Sequence, residues 1–323
     1  MNSAGPGAED VVISGGHGAR DTSGRPYAAS IVVPAYNEQD RIGPLLPVLA
    51  AAASELGYLV LVVCNGCKDA TASMARAVPG LTVVEVARAS KPHALNLADE
   101  IAGDVFPRLY VDADVRTTTD SLELLVDALR VDEPLAVRPR ATYLTENAPW
   151  TSRAFYESRS IVPSTRRWHE LHLEGHHIYG TNAKGRARFD DFPEEGQIME
   201  DAFFDRMFDP AEKLAVLDAV VSVPLPSTTR ALVRGMTRVY QGNWELTAWL
   251  EKNRPDRAGI ERPEPAPERT IFQTASYLAR GGSTFDSWAP RPVAIVLTAT
   301  ALRKVAELRA RRLVRAGRQA DWR

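Results

Sequence analysis

The chain has 323 residues, 45% of them apolar and 25% charged. That composition excludes a disordered or fibrous chain and suits one large α/β domain with an appendage. The formal net charge of -2 gives no reason to expect a nucleic-acid partner, although Leu302 to Arg323 concentrates eight basic residues against two acidic ones in a local basic patch.

Residues 1–28 are rich in Gly, Ala and Ser and lack the basic start and apolar run of a secretory signal, so a disordered tail is expected there. The Gly15-Gly16-His17-Gly18 run has no strand before it and no Lys-Ser/Thr after it, as a phosphate-cradling loop would need; it reads as part of that tail. From Ser30 the pattern alternates. Ile31-Val32-Val33 predicts a strand, and a helix is expected from about Gln39 to Leu56. Leu59 to Val63 predicts a second strand, followed by a helix opening near Asp69-Ala70-Thr71. Leu81 to Val86 is a third strand, Pro92 to Ile101 a helix, and Leu109-Tyr110-Val111 a fourth strand ending at Asp112.

Short strands that are apolar on both faces and separated by helices call for a mostly parallel sheet flanked by helices. Ligands of such sheets bind beyond the carboxyl ends of the strands. The residues to watch are therefore Pro34 to Glu38, Cys64 to Asp69, Ala87 to Lys91 and Asp112 to Asp114. Past about Pro224 the alternation stops. A helix is expected over Arg230 to Glu251, then a Pro- and charge-rich linker over 252–270, then a last helix from Pro292 to about Ala316 with Gly317 as its stop.

Cys64 and Cys67 are the only cysteines. Two thiols so close together cannot build a disulfide framework and have no zinc-spaced partners, which points to a reducing compartment, hence a cytoplasmic protein. The longest mostly apolar stretch, Val293 to Leu302, is far short of a bilayer span.

Asp112-Ala113-Asp114 ends an extended apolar segment. Residues two apart on a strand project to one side, so both carboxylates can face one cation; hard oxygen ligands suit Mg²⁺ or Mn²⁺. The same motif alone also fits a solvated strand end. Its companions narrow the reading: Val32-Val33-Pro34-Ala35-Tyr36-Asn37-Glu38, Asn65-Gly66-Cys67-Lys68-Asp69-Ala70-Thr71, Lys91-Pro92-His93-Ala94-Leu95-Asn96, and Gly180-Thr181-Asn182-Ala183-Lys184-Gly185-Arg186-Ala187-Arg188-Phe189 before Met199-Glu200-Asp201-Ala202-Phe203. In this order and spacing, over residues 29–225, the chain resembles family 2 glycosyltransferases of the GT-A fold.

The resemblance implies an α/β GT-A catalytic domain at 29–225 and a helical C-terminal extension at 226–323. It implies inverting transfer of a sugar from a nucleotide-diphosphate donor to a hydroxyl of a small molecule, glycan or lipid-linked acceptor. Asp114 would bind the metal, with Asp112 assisting at the metal or contacting the ribose. Asp201 would be the general base, with the alternative that Glu200 and Asp201 simply cap a helix. Pro34, Ala35, Tyr36, Glu38, Asn65, Lys91 and Ala113 would line the donor site, and Glu200, Gly180, Thr181 and Asn182 would support the acceptor side. Cys64 stands where the family commonly has the Asp that recognises uracil. A thiol is a weak acceptor, so UDP, GDP and TDP donors all stay open.

The histidine-rich stretch from Trp168 to His177 contains no His-Glu-x-x-His; His176 or His177 could reach the metal or substrate, but the favoured reading is solvated or hydrogen-bonded loop histidines, with no catalytic role assigned. In the last helix, Leu297, Ala301, Val305 and Leu308 share one side, which either docks on the protein or, beside the arginines, lies on an anionic membrane. Two rival functions are a sugar nucleotidyltransferase and a binding scaffold without catalysis. The first usually has a Gly-rich basic loop where this chain has Pro34 to Glu38; the second does not need the full set of carboxylates.

Overall fold

The computed structural model describes residues 11–15, 21, 24–161, 170, 172–173, 175–196, 198–258 and 290–320. Its elements, in chain order, are β1 (Val12–Ser14), β2 (Ser30–Ala35), α1 (Leu46–Ser54), β3 (Leu59–Asn65), α2 (Thr71–Arg76), β4 (Thr82–Val86), α3 (Lys91–Ala102), β5 (Arg108–Val111), α4 (Thr119–Ala128), β6 (Ala136–Leu144), α5 (Trp150–Ile161), β7 (Ile178–Thr181), α6 (Ala183–Arg186), α7 (Glu200–Arg206), β8 (Lys213–Pro224), α8 (Thr229–Asn253), α9 (Pro255–Ala258) and α10 (Pro290–Arg315).

The strands form one sheet in the order β1-β4-β3-β2-β5-β7-β6-β8. Its centre, β4-β3-β2-β5, is parallel; β1 and β7 flank that centre antiparallel. Every residue of β2, β3 and β5 is buried, as expected for apolar strands covered on both faces. The chain leaves β2 toward β3 and β4, then returns to place β5 on the other side of β2. Loops after β2 and β5 therefore diverge, and the crevice between them is the switch point where open α/β sheets hold ligands.

Three expectations are corrected. Val12–Ser14 is not tail: it pairs with β4, Val12 opposite Glu85, because its extended, partly apolar side chains extend the sheet edge. The helix expected from Gln39 begins only at Leu46, since residues 38–45 are tied in tight turns such as Ile42 N to Glu38 O and Leu45 N to Ile42 O. The linker expected over 252–270 is helical as far as it is described, through the end of α8 and then α9; residues 259–270 lie outside the described residues, as do Gly16 to Gly18.

The chain divides into two compact units, one of Met1–Thr142, Gly175–Glu194 and Phe208–Val223, the other of Tyr143–Glu174, Glu195–Met207 and Pro224–Arg323. The first holds the sheet core. It also holds a buried ionic network around Asp99 on α3, whose Oδ1 accepts from Arg108 Nη1 (2.7 Å) and Tyr110 Oη (2.8 Å) and whose Oδ2 accepts from Arg186 Nε (2.8 Å). Proximity to the Asp99 charge and loss of solvent hold the Tyr110 hydroxyl well above its ordinary pKa, desolvation being the larger cause.

In the second unit, α10 packs on α5 and α8 through Phe155, Leu232, Met236, Ala299, Leu302 and Ala306. Its C-terminus closes at Gly317 (φ +61°), where Arg318 N donates to Leu313 O, the αL stop the sequence pattern indicated. The docking face is not the one read from sequence. Leu297, Val305 and Leu308 are 45%, 54% and 48% exposed, while Ile295, Val296, Ala299, Leu302, Ala306 and Ala310 are buried. Ala299, Ala306 and Ala310 allow close helix approach on the face that also buries Ile295, Val296 and Leu302, and the stripe of Leu297, Val305 and Leu308 is left outside.

Candidate active site

The first loop is set by a left-handed residue. Asn37, at φ +54°, is one of the few residue types that tolerates this conformation. It is fixed there by hydrogen bonds to the loop after β3: Asn37 N donates to Cys67 Sγ (3.3 Å) and Lys68 N donates to Asn37 Oδ1 (2.7 Å). Glu38 N donates to Thr71 Oγ1 (2.7 Å), and Ala70 N donates to Gln39 Oε1 (2.9 Å). Asp69 accepts from Thr71 N and from Thr71 Oγ1, so the Asp-x-Thr spacing shapes the turn into α2. Pro34 and Ala35 are buried in β2, Asn65 is buried at the end of β3, and Tyr36 and Glu38 are partly exposed on the loop.

Ser90 caps α3, its Oγ accepting from His93 N (3.3 Å), which sets Lys91 at the helix start. Lys91 Nζ donates to Asp112 Oδ1 at 2.7 Å. Asn96, the last residue of the same motif, holds a neighbouring loop in place, its Nδ2 donating to Phe192 O (3.0 Å) and its Oδ1 accepting from Phe192 N (2.8 Å).

Asp112 and Asp114 are partly exposed with buried Ala113 between them, the alternation that puts both carboxylates on one side. Because β7 runs antiparallel to β5, with Val111 opposite Ile178, the residue before β7 falls beside the residue after β5. That residue is His177. Its carbonyl accepts from Asp112 N (3.0 Å), and its Nδ1 bonds Asp112 Oδ2 at 2.9 Å. His177 has φ +63°, an uncommon conformation for a non-glycine residue that concentrates at functional sites. One ligand atom from each of Asp112, Asp114 and His177 lies within 4.8 Å of the others. Two carboxylates and an imidazole at this spacing fit Mn²⁺ or Mg²⁺, the nitrogen favouring the softer Mn²⁺. Loss of solvent alone would push Asp112 up, but the Lys91 charge and the His177 hydrogen bond outweigh it and hold the carboxyl well below the ordinary range. Arg41 reaches Asp114 Oδ2 at 3.7 Å and Glu38 Oε2 at 3.5 Å.

From sequence, His176 or His177 could reach the metal, but loop residues are the favoured reading for the histidines of this region; the structure brings His177 to Asp112 and Asp114. For His172 the loop reading holds: its Nδ1 bonds the buried Asp205 Oδ2 at 2.6 Å, and Leu173 N donates to Asp205 Oδ1 at 2.7 Å. His169 lies outside the described residues. The signal for His177 was its place directly before a strand, which becomes decisive only once that strand is known to run antiparallel beside β5.

The side chains of Thr181 and Asn182 are bonded to neighbouring backbone groups. Thr181 Oγ1 donates to Leu135 O (2.8 Å), Asn182 Nδ2 donates to Pro134 O (3.2 Å), and Asn182 Oδ1 caps α6 by accepting from Gly185 N (2.9 Å). A Cβ on Gly180 would collide with Leu109 Cδ2. Thr181 and Asn182 thus tie β7 and α6 to the segment before β6, and close strand packing at Gly180 leaves no room for a side chain there.

Asp201 belongs to the second unit. It sits in the first turn of α7, partly exposed, and its Oδ1 accepts from Ala202 N (2.8 Å). Met199 occupies the cap position and makes no side-chain capping bond, so neither Glu200 nor Asp201 is the cap; Glu200 is buried. A separate cleft of about 920 Å³ opens in the first unit, lined by residues including His93, Asn96, Asp99, Arg186 and Glu194. None of the expected site residues lines it.

The sequence profile described as glycosyl transferase family 2 matches residues 30–191, the stretch that carries β2 through α6. The chain belongs to that family. It is similar to the dolichol-phosphate mannosyltransferase of Pyrococcus furiosus, 28% identical over 116 residues, which is 34% of this chain and 32% of that protein; the match thus spans about a third of the relative's length. Its fold is similar to that of the Pyrobaculum calidifontis mannosyltransferase PcManGT solved with GDP-Man and Mn²⁺, at TM-score 0.54 and 20% identity, covering 90% of this chain and 79% of that one. The family 2 sheet is the GT-A arrangement expected from sequence. Among the described residues no helix is long and apolar enough to cross a membrane.

Proposed function

We propose that this family 2 member transfers a sugar, with inversion, from a nucleotide-diphosphate donor to an acceptor hydroxyl, using a divalent cation held by Asp112, Asp114 and His177. The single observation that carries the reading is the meeting of these three side chains within 4.8 Å at the sheet's switch point. When bound, the cation supplies Lewis-acid stabilisation of the negative charge that develops on the departing diphosphate. Lys91, already beside Asp112, adds positive charge at the start of α3, where a helix N-terminus also favours phosphate. The Pro34 to Glu38 loop, held by Asn37, lines the nucleotide side with Asn65, and Tyr36 offers its ring to the base. Asp201 is the general base that removes the acceptor proton as its oxygen attacks the anomeric carbon; attack opposite the leaving group inverts that centre.

The relatives act as mannosyltransferases by their names, so GDP-mannose leads the donors to be tried, ahead of UDP and TDP sugars. Binding to the native state raises apparent stability, and a thermal-shift screen of these donors with Mn²⁺ identifies the base. Transfer or donor hydrolysis is expected to vanish in Asp114→Ala and on chelation; activity that survives both overturns the reading.

The acceptor reading extends to a membrane surface in a cytoplasmic setting. On α10, exposed Leu297, Val305 and Leu308 alternate with exposed Lys304, Arg309, Arg312 and Arg315, the mix of apolar and basic side chains that binds anionic bilayers peripherally. Co-sedimentation with phosphatidylglycerol vesicles but not phosphatidylcholine vesicles, lost in Leu308→Glu, is the expected result. Equal recovery with both lipids would place the acceptor in solution.

A further inference from the structure

The loop after β3 contains both thiols of the chain, spaced Cys64-Asn65-Gly66-Cys67. Cys64 is 2% exposed at the end of the strand and lies opposite Ala35 of β2. Gly66 turns the chain at φ +70°, and any Cβ there would meet Ala89 Cβ at 2.8 Å, so the turn is fixed by close packing. It brings Cys67 back beside Cys64, the Cys67 Sγ reaching the carbonyl of Ala35, the residue paired with Cys64 across the sheet. Cys67 is partly exposed, and it pins the neighbouring loop: its Sγ donates to Ala35 O (3.3 Å) and accepts from Asn37 N (3.3 Å). The reading of sugar transfer uses neither thiol.

We propose that Cys64 and Cys67 are a peroxide-reactive dithiol, and that their oxidation to a disulfide releases the Asn37 segment of the first loop. Cys67 is the attacking sulfur, being the more exposed of the two. Its pKa is lowered to about 7, chiefly by the hydrogen bond from Cys64, with the Asn37 amide adding to it against desolvation; the same contact and burial push Cys64 up and keep its proton. A thiolate is the reactive form. Cys67 thiolate sulfur attacks one peroxide oxygen, the O–O bond breaks, and the departing hydroxide takes up the proton that the Cys67 thiol had released and leaves as water, giving a sulfenic acid. Cys64 sulfur then displaces the hydroxyl from Cys67. The S–S bond forms, and the Cys64 proton leaves with that hydroxyl as the second water. The two sulfurs lose two electrons and one hydrogen peroxide is reduced to two waters.

The structural consequence follows from what Cys67 does when reduced. A disulfide sulfur has no proton to donate to Ala35 O and is a poorer acceptor for Asn37 N, and it must turn toward Cys64. Asn37, in a conformation that needs its cross-loop bonds, loses one of them.

The test uses the full chain treated with hydrogen peroxide. The expected mass change is a loss of two hydrogens, reversed by dithiothreitol, with hydrogen exchange at the Asn37 amide about tenfold faster, as for loss of one local hydrogen bond. Cys64→Ser, treated above about pH 9 where its Cys67 is again a thiolate, should instead gain one oxygen at Cys67 and show no two-hydrogen loss; Cys64→Ala under the same conditions serves the same purpose if the serine is poorly tolerated. Absence of the two-hydrogen loss, or a disulfide that leaves Asn37 exchange unchanged, overturns the proposal. None of these readouts depends on glycosyl transfer, so either reading can fail alone.

Discussion

Asp112 is clamped from both sides: Oδ2 meets His177 Nδ1 at 2.9 Å while Oδ1 meets Lys91 Nζ at 2.7 Å. An ionised carboxylate only accepts hydrogen bonds, so Nδ1 carries the proton, and in the neutral imidazole that a metal requires Nε2 is the nitrogen with a lone pair. This is the carboxylate-to-histidine arrangement that orients an imidazole for metal binding.

Mn²⁺ affinity is therefore expected to fall about 10- to 100-fold in His177→Ala, and pulsed electron paramagnetic resonance of the Mn²⁺-loaded chain should show nitrogen coupling that disappears in that variant. Lys91→Ala should weaken GDP or UDP binding more than Mn²⁺ binding, because its charge serves the phosphates. Nitrogen coupling that survives in His177→Ala would remove His177 from the metal.

If Asp201 is the base, Asp201→Asn keeps the size of the side chain and loses the ability to take a proton. Turnover should drop by a factor on the order of 10² to 10⁴, while Mn²⁺ and nucleotide binding, measured by calorimetry, stay near their original values. A parallel loss of binding would mean that the carboxylate holds ligand rather than moving a proton.

Asp99 ties α3 to β5 and α6, with Arg108 only 1% exposed. Removing one partner of a buried ion pair strands the other charge, so Asp99→Ala should destabilise the chain by about 3–5 kcal/mol, read as a lower urea midpoint. A cost below about 1 kcal/mol, the range of exposed pairs, would show that water reaches Arg108.

How far the sequence carried the reading depends on range. Strands β2 to β5 and helix α3 were legible because burial on both faces writes a continuous apolar run, and the Asp112 and Asp114 alternation follows from strand geometry alone. His177 was legible only as one of two histidines that could reach the metal, since its meeting with Asp112 depends on the antiparallel register of β7, set by contacts far apart in sequence. The same holds for α10: the pattern showed a leucine stripe, but the alanines on the other face, which permit close packing on α5 and α8, decided which side is buried. Asn37 and Thr71 looked like motif letters until the cross-loop hydrogen bonds showed that they tie the first loop to the second.

Cys67 gives a prediction in pH. Its thiol titrates at about 7 against an ordinary value of 9.0, so the thiolate appears as pH rises through neutrality rather than two units higher. Iodoacetamide reacts with the thiolate, and the alkylation rate at Cys67 should climb with a midpoint near pH 7. Cys64 is the largest cause of the lowering, and in Cys64→Ala the midpoint should move up toward 9, slowing alkylation at pH 7 while leaving the rate at high pH nearly unchanged. The lowered value also means that acid, not base, protects the loop: below about pH 6 Cys67 holds its proton, keeps its bond to Ala35 O, and should resist peroxide. A midpoint that stays put when Cys64 is removed would show that the Asn37 amide and Thr71 set the acidity, and that the two sulfurs act independently.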